Sequence, residues 1–362
     1  MIITRLRAQN LRKISNLSVE PGPRFNIVWG ANGGGKTSFL ESIYLLNAVK
    51  SFRTNRFDEL VSHGQTWFGV AGEVAPEFQE EAEPAAIRIV KERDSTRITV
   101  NQLPVTSAAS VASRFPLLVL EPHSFDIVEG GPRVRRSLLD RSVFHVEPDF
   151  VSLSRAYMQA LSNRNALLRS AGRPAELDYW SRELAAKGEA IDETRRRCVD
   201  FLNEKLSQDS PFTSRIGSLG LRYRKGWRDD SSLLECLQRN QTAEAQSGQT
   251  LSGPHKAELV ILSEGHSMAK TGSRGQLKAL VFHLVGSLAA YIYERSKVRP
   301  VMLVDDFSAE FDDEMRGLAI RMLRSTCAQV FLTTVHEQLA REALEPEDLL
   351  FHVEQGSLLP SS

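Results

Sequence analysis

The chain has 362 residues, of which 41% are hydrophobic and 25% are charged, and its formal net charge is zero. This composition is ordinary for a soluble globular protein, and the length allows two or three domains around a large core. The zero net charge excludes a globally basic protein, so any DNA site must be a local patch of cationic residues.

Neither secretion nor membrane insertion is predicted. The cysteines Cys198, Cys236 and Cys327 lie far apart without a Cys-x-x-Cys pair, so we expect no zinc site and no disulfide framework. The N-terminus lacks the apolar core of a signal peptide, and no apolar run approaches the ~18 residues of a membrane span. The sequence therefore predicts a cytoplasmic protein without membrane contact.

A phosphate-binding loop is the first strong motif along the chain. A strand predicted over residues 2–8 is followed by a second strand, Phe25 to Trp29, and by a helix from Ser38 to Val49. Between the second strand and the helix, the pattern Gly-x4-Gly-Lys-Ser/Thr is matched by Gly30, Ala31, Asn32, Gly33, Gly34, Gly35, Lys36 and Thr37. Glycines let backbone N–H groups turn around a phosphate, and the helix N-terminus adds further donors. We expect the loop to bind ATP, with Lys36 on the β- and γ-phosphates and Thr37 on Mg²⁺.

The next segments predict an antiparallel sheet and then a helical region. Residues 66–74, 86–92 and 96–105 have the pattern of short strands, and Leu117 to Leu120 is a compact apolar strand. Residues 123–210 are helical in pattern and rich in arginine, with one predicted helix of ~45 Å over residues 177–206. Residues 238–249 are polar and predict a loop.

Two arginine clusters lie in the helical region. The first contains Arg135 and Arg136, shortly after Gly130-Gly131-Pro132, and the second is Arg195-Arg196-Arg197. A solvated helical face balanced by acids and a surface for nucleic acid or a partner are both compatible with this pattern. We take Arg135 and Arg136 as candidate DNA contacts.

The C-terminal part of the chain predicts the second half of a nucleotide site. A strand over residues 300–304 ends at Asp305 and Asp306, which is the form of a Walker B motif. Asp305 would hold Mg²⁺, and Asp306 lies where a general base or water-orienting carboxylate is needed. Ser273, Gly275 and Gln276 lie at the start of a long helix and suit either a γ-phosphate or an ordinary N-cap.

The remaining pattern is α/β, with further strands over 258–262 and 329–333, helices over 313–323 and 336–343, and a final hairpin. About 270 residues separate Lys36 from Asp305. We therefore predict one ATPase domain built from residues 1–122 and 246–362, with residues 123–245 inserted as a mainly helical lobe. This arrangement is that of an ABC-type P-loop ATPase head.

These pieces resemble the RecF family of bacterial recombinational repair ATPases, which is related to SMC and Rad50 heads. The resemblance rests on the order of the motifs, which are residues 3–12, 30–37, 51–54, 129–140, 252–256, 273–276 and 304–312. It implies an ATP-dependent homodimer that binds single-stranded, gapped or junction DNA and hydrolyses ATP slowly as a molecular switch. It also implies action with RecO and RecR, indirect help to RecA loading, and links to replication recovery and the SOS response.

Two positions depart from the family pattern. Residues 121–124, where a Q-loop is expected, contain no glutamine, and the histidine switch is assigned to none of Thr333, Thr334 and His336. Residues 308–312 resemble a D-loop with Phe311 in place of the usual leucine.

Three other functions remain compatible with the sequence. One is the nucleotide-binding subunit of an ABC transporter, which shares the motifs but not the long arginine-rich insertion. Another is a structural tether of the SMC or Rad50 type, which would need a longer coiled coil. The third is a switch that binds ATP without meaningful turnover.

Overall fold

The structure is a computed structural model that describes residues 1–54, 56–77, 84–121, 124, 126–170, 173–208, 210–307 and 312–361, apart from the Lys270 side chain. The predicted D-loop residues 308–311 and residues 122 and 123 of the predicted Q-loop segment lie outside the described residues. The chain packs as two compact units. The first comprises Met1–Ser124 with Ile292–Ser362, and the second comprises Phe125–Tyr291.

The N-terminal part of the first unit is rich in strands. Its elements are β1 (Ile2–Leu11), β2 (Ile14–Val19), β3 (Phe25–Trp29), α1 (Lys36–Ala48), β4 (Trp67–Ala75), β5 (Ala85–Glu92), β6 (Thr96–Val100), β7 (Leu103–Pro104), α2 (Ala108–Ala112) and β8 (Leu117–Leu120). The predicted strands at β3 and β8 are confirmed at both ends.

The second unit is mainly helical. Its elements are α3 (Asp126–Glu129), α4 (Pro132–Phe144), α5 (Phe150–Ser170), α6 (Pro174–Leu206), α7 (Thr213–Ile216), β9 (Leu219–Arg224), α8 (Leu233–Arg239), α9 (Gln241–Ser247), β10 (Glu258–Ser263), β11 (His266–Ser267), α10 (Met268–Thr271) and α11 (Arg274–Ser296), whose last turn belongs to the first unit. The inserted lobe predicted from the sequence ends at residue 245. In the structure β10 pairs antiparallel with β9, and the second unit that contains both strands continues to Tyr291.

The C-terminal elements return to the first unit. They are β12 (Val301–Val304), α12 (Asp313–Thr326), β13 (Gln329–Thr334), α13 (Glu337–Glu342), β14 (Leu349–Glu354) and β15 (Ser357–Pro360). These strands join β3 and β8 in a sheet of order β15-β14-β3-β13-β12-β8, in which only the pair formed by β14 and β15 is antiparallel. The four residues of β12 and the six of β13 are all buried, as expected for parallel strands covered on both faces.

The helix that follows the phosphate-binding loop lies between two sheets. The second sheet of this unit is antiparallel, with order β2-β1-β4-β5-β6-β7. Helix α1 packs on β1, β4 and β5 of that sheet and on β13 of the parallel sheet. Because both sides are covered, α1 is buried almost all round, including polar residues such as Glu41 and Asn47.

One helix differs from the prediction that no apolar run approaches the length of a membrane span. Among the described residues, α11 is long and apolar enough to cross a membrane by length and composition, so that prediction was wrong. In the structure 83% of its most apolar 18-residue window is buried inside the protein, as in a core helix.

The polar segment predicted as a loop over residues 238–249 forms the end of α8 and all of α9, so this prediction was also wrong. A capping box between Ser232 and Glu235 starts α8. Glu244 of α9 is fully buried, and its carboxylate accepts a hydrogen bond of 2.6 Å from Arg164 of α5, which is 1% exposed. This tertiary ion pair orders a segment whose composition alone favours a loop.

We expect Glu244→Ala to lower the free energy of unfolding by about 3–5 kcal/mol, because it leaves the buried Arg164 guanidinium without its counter-ion. Glu204→Ala, at an exposed position of α6, should change it by less than about 0.5 kcal/mol. Urea unfolding of both variants measures the difference. Equal stabilities would show that the Arg164–Glu244 pair does not hold the second unit together.

Candidate functional site

The loop predicted to bind phosphate follows β3 and is braced by the C-terminal hairpin. Gly33 and Gly35 have φ angles of 75° and 119°, which favour glycine. A Cβ at Gly30 would lie 2.4 Å from the carbonyl oxygen of Val353 in β14. The Gly356 N–H in the hairpin turn donates a 2.9 Å hydrogen bond to the Gly34 carbonyl. The glycines are therefore needed both for the turn and for this close packing.

Lys36 points into the loop that precedes it. Its side-chain nitrogen Nζ donates hydrogen bonds to the carbonyl oxygens of Gly30 (2.7 Å) and Ala31 (3.0 Å). Burial lowers the pKa of Lys36, and the nearby carboxylates of Asp306 and Asp305 act in the opposite direction. The ammonium is thus held inside the loop, close to two acidic groups.

The two predicted halves of the site meet at Asp305. Its Oδ2 accepts a 2.9 Å hydrogen bond from the Thr37 hydroxyl, and its Oδ1 accepts a 2.7 Å hydrogen bond from the Thr333 hydroxyl. Thr333 Oγ1 in turn accepts a 2.9 Å hydrogen bond from the Asp306 backbone N–H. Asp306 has a left-handed φ of 54°, so its backbone turns sharply at the end of β12. The parallel order β3-β13-β12 brings the ends of these strands together.

The structure distinguishes among Thr333, Thr334 and His336, the three residues considered for the histidine switch. Thr333 is fully buried and bonded to both carboxylate-bearing residues. His336 is exposed at the N-cap of α13, and its backbone N–H donates to the Thr334 hydroxyl. Thr333 is therefore the residue of this segment that orients the Walker B carboxylate.

A cavity of about 560 Å³ lies in front of the loop. Four basic and four acidic side chains are among its lining residues, which are Arg12, Lys13, Asn32, Gly33, Gly35, Lys36, Thr37, Ser38, Arg53, Glu59, Glu121, Asp305 and Asp306. The cavity can hold a ligand that carries several negative charges together with a cation.

Sequence reasoning missed several of these residues as site residues. Arg12 and Arg53 stand in segments that carry the family resemblance, but they have no motif chemistry of their own. Glu121 follows β8, the strand beside β12, and lines the cavity where a Q-loop glutamine was sought. Their positions follow from strand order and turn geometry, which local sequence patterns do not reveal.

The predicted signature segment lies in the second unit, at the start of α11. The Ser273 N–H donates to Gln276 Oε1 (2.9 Å), and the Gln276 N–H donates to Ser273 Oγ (3.4 Å), which is a reciprocal capping box. Ser273 and Gly275 are exposed, and nothing lies within 4 Å of a Cβ built on Gly275. The segment has the N-cap function and also presents an open helix N-terminus.

The arginines proposed as DNA contacts are bonded within the second unit. Arg135 pairs with both carboxylate oxygens of Glu258 (2.9 and 3.1 Å) and donates to the Gly130 carbonyl (2.7 Å), with only 11% of its side chain exposed. Arg136 donates to the Ala257 carbonyl (2.7 Å). Both arginines have a structural function, and their contact with DNA stays a prediction.

The second arginine run is also engaged in ion pairs. Arg195 is buried and bonds Asp140 through two nitrogens, at 2.8 and 3.0 Å. Arg196 pairs with Asp192, and Arg197 pairs with both Glu147 and Glu193. These pairs favour the interpretation of a helical surface balanced by acids.

Known proteins resemble the chain over nearly its whole length. The family described as RecF/RecN/SMC N terminal domain matches residues 2–357. The DNA replication and repair protein RecF of Pseudomonas putida (strain GB-1) is 34% identical over 362 residues, which cover 99% of this chain and 98% of that protein. The protein of the same name from Thioalkalivibrio sulfidiphilus (strain HL-EbGR7) is 35% identical over 361 residues, 99% of each chain.

Solved structures show the same fold. The recombination mediator protein RecF-ATP in the RecFOR pathway has a TM-score of 0.85 at 23% identity, covering 99% of this chain and 97% of that one. An Smc head bound to the C-winged helix domain of ScpA has a TM-score of 0.58 at 14% identity, covering 100% and 98%. The predicted fold class, an α/β ATPase head of the ABC type, is thereby confirmed. The chain belongs to the RecF family, within the wider group that shares the RecF/RecN/SMC N-terminal domain.

Proposed function

We propose that this protein is an ATP-dependent DNA-binding protein of recombinational repair and replication recovery. The observation that carries the proposal is the hydrogen bond between Thr37 and Asp305, because it joins the phosphate-binding loop to the Walker B carboxylate in one cavity. The family is one of ATP-binding ATPases, and relatives matched over nearly their full length are named for DNA replication and repair.

In this proposal Lys36 binds the β- and γ-phosphates of ATP. Its ammonium now donates to two neutral carbonyls of the loop, and a phosphate in the loop would offer a charged acceptor instead. Hydrogen bonds with a charged partner are about twice as strong as neutral ones. The backbone N–H groups of residues 30–37 and the N-terminus of α1 add donors for the same anion.

Thr37 and Asp305 are the proposed Mg²⁺ ligands. A hydroxyl and a carboxylate oxygen 2.9 Å apart are hard oxygen donors, of the kind that Mg²⁺ takes together with water and phosphate oxygens. When bound, Mg²⁺ neutralises charge on the phosphates. Thr333 holds the Asp305 carboxylate in place through its second oxygen.

Asp306 is proposed to orient the water that attacks ATP and to accept its proton. Its backbone is fixed by Thr333, and its side chain lines the cavity beside Asp305. A fixed carboxylate next to the proposed metal site suits this function, and the resemblance to RecF implies that hydrolysis is slow and acts as a switch.

We further propose that ATP drives formation of a homodimer in which the open N-terminus of α11 in one copy, with Ser273, Gly275 and Gln276, faces ATP held by the other. The exposure of Ser273 and Gly275 supports this arrangement. In this proposal the dimer acts in the cytoplasm on single-stranded, gapped or junction DNA, with RecO and RecR, and promotes RecA loading and SOS induction.

We expect Asp306→Asn to keep ATP affinity and to slow DNA-stimulated hydrolysis by about 10²-fold or more, because the amide cannot accept the proton of water. The variant should then accumulate as an ATP-bound dimer, which light scattering detects. Asp94→Asn, at an exposed position of the same unit, is the matched control and should hydrolyse ATP at the parental rate. Parental turnover in the Asp306 variant would remove Asp306 from the mechanism, and a parental ATPase indifferent to DNA would favour a transporter subunit.

Mixing two inactive variants tests the shared site. Lys36→Ala breaks the phosphate-binding loop and Ser273→Arg blocks the signature, so each homodimer has two broken sites. In a mixed dimer both lesions fall in one site, and about a quarter of the parental ATPase rate should return on equal mixing if two copies share each site. A mixture no more active than the average of the two variants, with mixed dimers verified by tag pull-down, would show that Ser273 does not act on the other copy's ATP.

A further inference from the structure

A buried carboxylate lies next to the arginines that line the cavity. Glu41 is on α1, just after the phosphate-binding loop, and is fully buried. Its carboxylate accepts hydrogen bonds from Nε and Nη2 of Arg12, the latter at 2.9 Å, and from the Ser51 hydroxyl. Because an unpaired buried carboxylate is costly, these partners offset the cost of burying Glu41 in the core.

Arg12 links this carboxylate to the cavity. It stands in the turn between β1 and β2, with a left-handed φ of 52° that is uncommon for a residue with a side chain. Its backbone is fixed on both sides, since its N–H donates to the Leu60 carbonyl (2.7 Å) and its carbonyl accepts from the Ser62 hydroxyl (2.8 Å). Its side chain is 20% exposed and lines the same cavity as Lys36.

Ser51 links the same carboxylate to a second cation. Its hydroxyl donates to Glu41 and accepts hydrogen bonds from the backbone N–H groups of Arg53 (2.9 Å) and Thr54 (3.1 Å). Arg53 also lines the cavity. One carboxylate on the helix of the phosphate-binding loop thus fixes two chain segments that each bring an arginine to the cavity.

We propose that Glu41 is a positioning residue for nucleotide binding, which sets Arg12 directly, and Arg53 through Ser51, against the anionic ligand of the cavity. The proposal rests on the function proposed above, because it takes the ligand to be ATP. Glu41 also offsets part of the repulsion among Arg12, Arg53 and Lys36 when no anion is present. A cation whose side chain is already held loses less freedom on binding a phosphate, so preorganisation raises affinity.

Glu41→Gln is the direct test, because it keeps the size of the side chain and removes its charge. The Kd for ATP in calorimetry and the KM for hydrolysis should each rise about tenfold, whereas kcat should change less than about twofold, since the positioned cations bind substrate and transition state alike.

Asn47→Ala is the matched control for lost stability. Asn47 is a buried polar residue of the same helix, and its amide donates to the carbonyls of Phe115 (2.8 Å) and Ala112 (3.4 Å), which do not line the cavity. It should lower the thermal midpoint and leave Kd and KM unchanged. A Glu41→Gln variant whose Kd and KM match those of Asn47→Ala would overturn the proposal.

A second variant tests whether Glu41 acts through Arg12. Arg12→Gln should raise Kd, and adding Glu41→Gln to it should raise Kd by a smaller factor than Glu41→Gln does in the parental protein, because only the route through Ser51 to Arg53 is then left to lose. If the effects of the two substitutions on Kd instead multiply in the double variant, Glu41 acts on binding by a route other than Arg12. The proposed positioning of Arg12 by Glu41 is then rejected.

Amide hydrogen exchange without nucleotide separates this inference from the proposed function. Glu41→Gln and Ser51→Ala should both speed exchange at Arg53 and Thr54, and Asn47→Ala should not. If the parental protein bound no ATP, the function above would fail and exchange would still decide whether Glu41 orders this segment. If the parental protein binds ATP and these two variants leave exchange at Arg53 and Thr54 unchanged, the proposed positioning of Arg53 is rejected.

Discussion

The hydrogen bond between the Thr37 hydroxyl and the Asp305 carboxylate is the contact on which the site depends. It joins the first turn of α1, which follows β3 and its loop, to the residue just after β12, and the two residues are 268 positions apart in the chain. The two strands are not neighbours, because β13 lies between them and contributes Thr333 as the bridge to Asp305. Three strand ends from both parts of the chain must therefore meet before the site exists.

The order of the parallel sheet explains how this is achieved. Strands β3 and β8 come from the N-terminal segment, and β12 and β13 from the C-terminal segment insert between them. Neither segment can form this sheet by itself, since each supplies only some of its neighbouring strands. The C-terminal hairpin adds a further constraint, because Val353 and Gly356 pack against the glycines of the loop. The phosphate-binding loop thus takes its shape from residues at the far end of the chain.

Local patterns in the sequence predicted much of this structure. The β3 strand, the glycine loop and the apolar β12 strand ending in two aspartates each have a local cause, namely periodicity, turn freedom or burial on both faces. The features that the sequence could not predict depend on tertiary contacts. Helix α9 forms because Glu244 meets Arg164, and Arg12 reaches the cavity because its turn is fixed by Leu60 and Ser62. No pattern within a few residues records such contacts.

The central claim is that Thr37 and Asp305, from opposite ends of the chain, form one Mg²⁺–ATP site. A double-mutant cycle on the Mg²⁺–ATP dissociation constant, with Thr37→Ala, Asp305→Asn and the double variant, tests it most directly. The account predicts that each single change weakens binding about tenfold or more and that the double variant is within about twofold of the weaker single one. Effects that multiply in the double variant would show that the two residues act independently, and would contradict a single shared site.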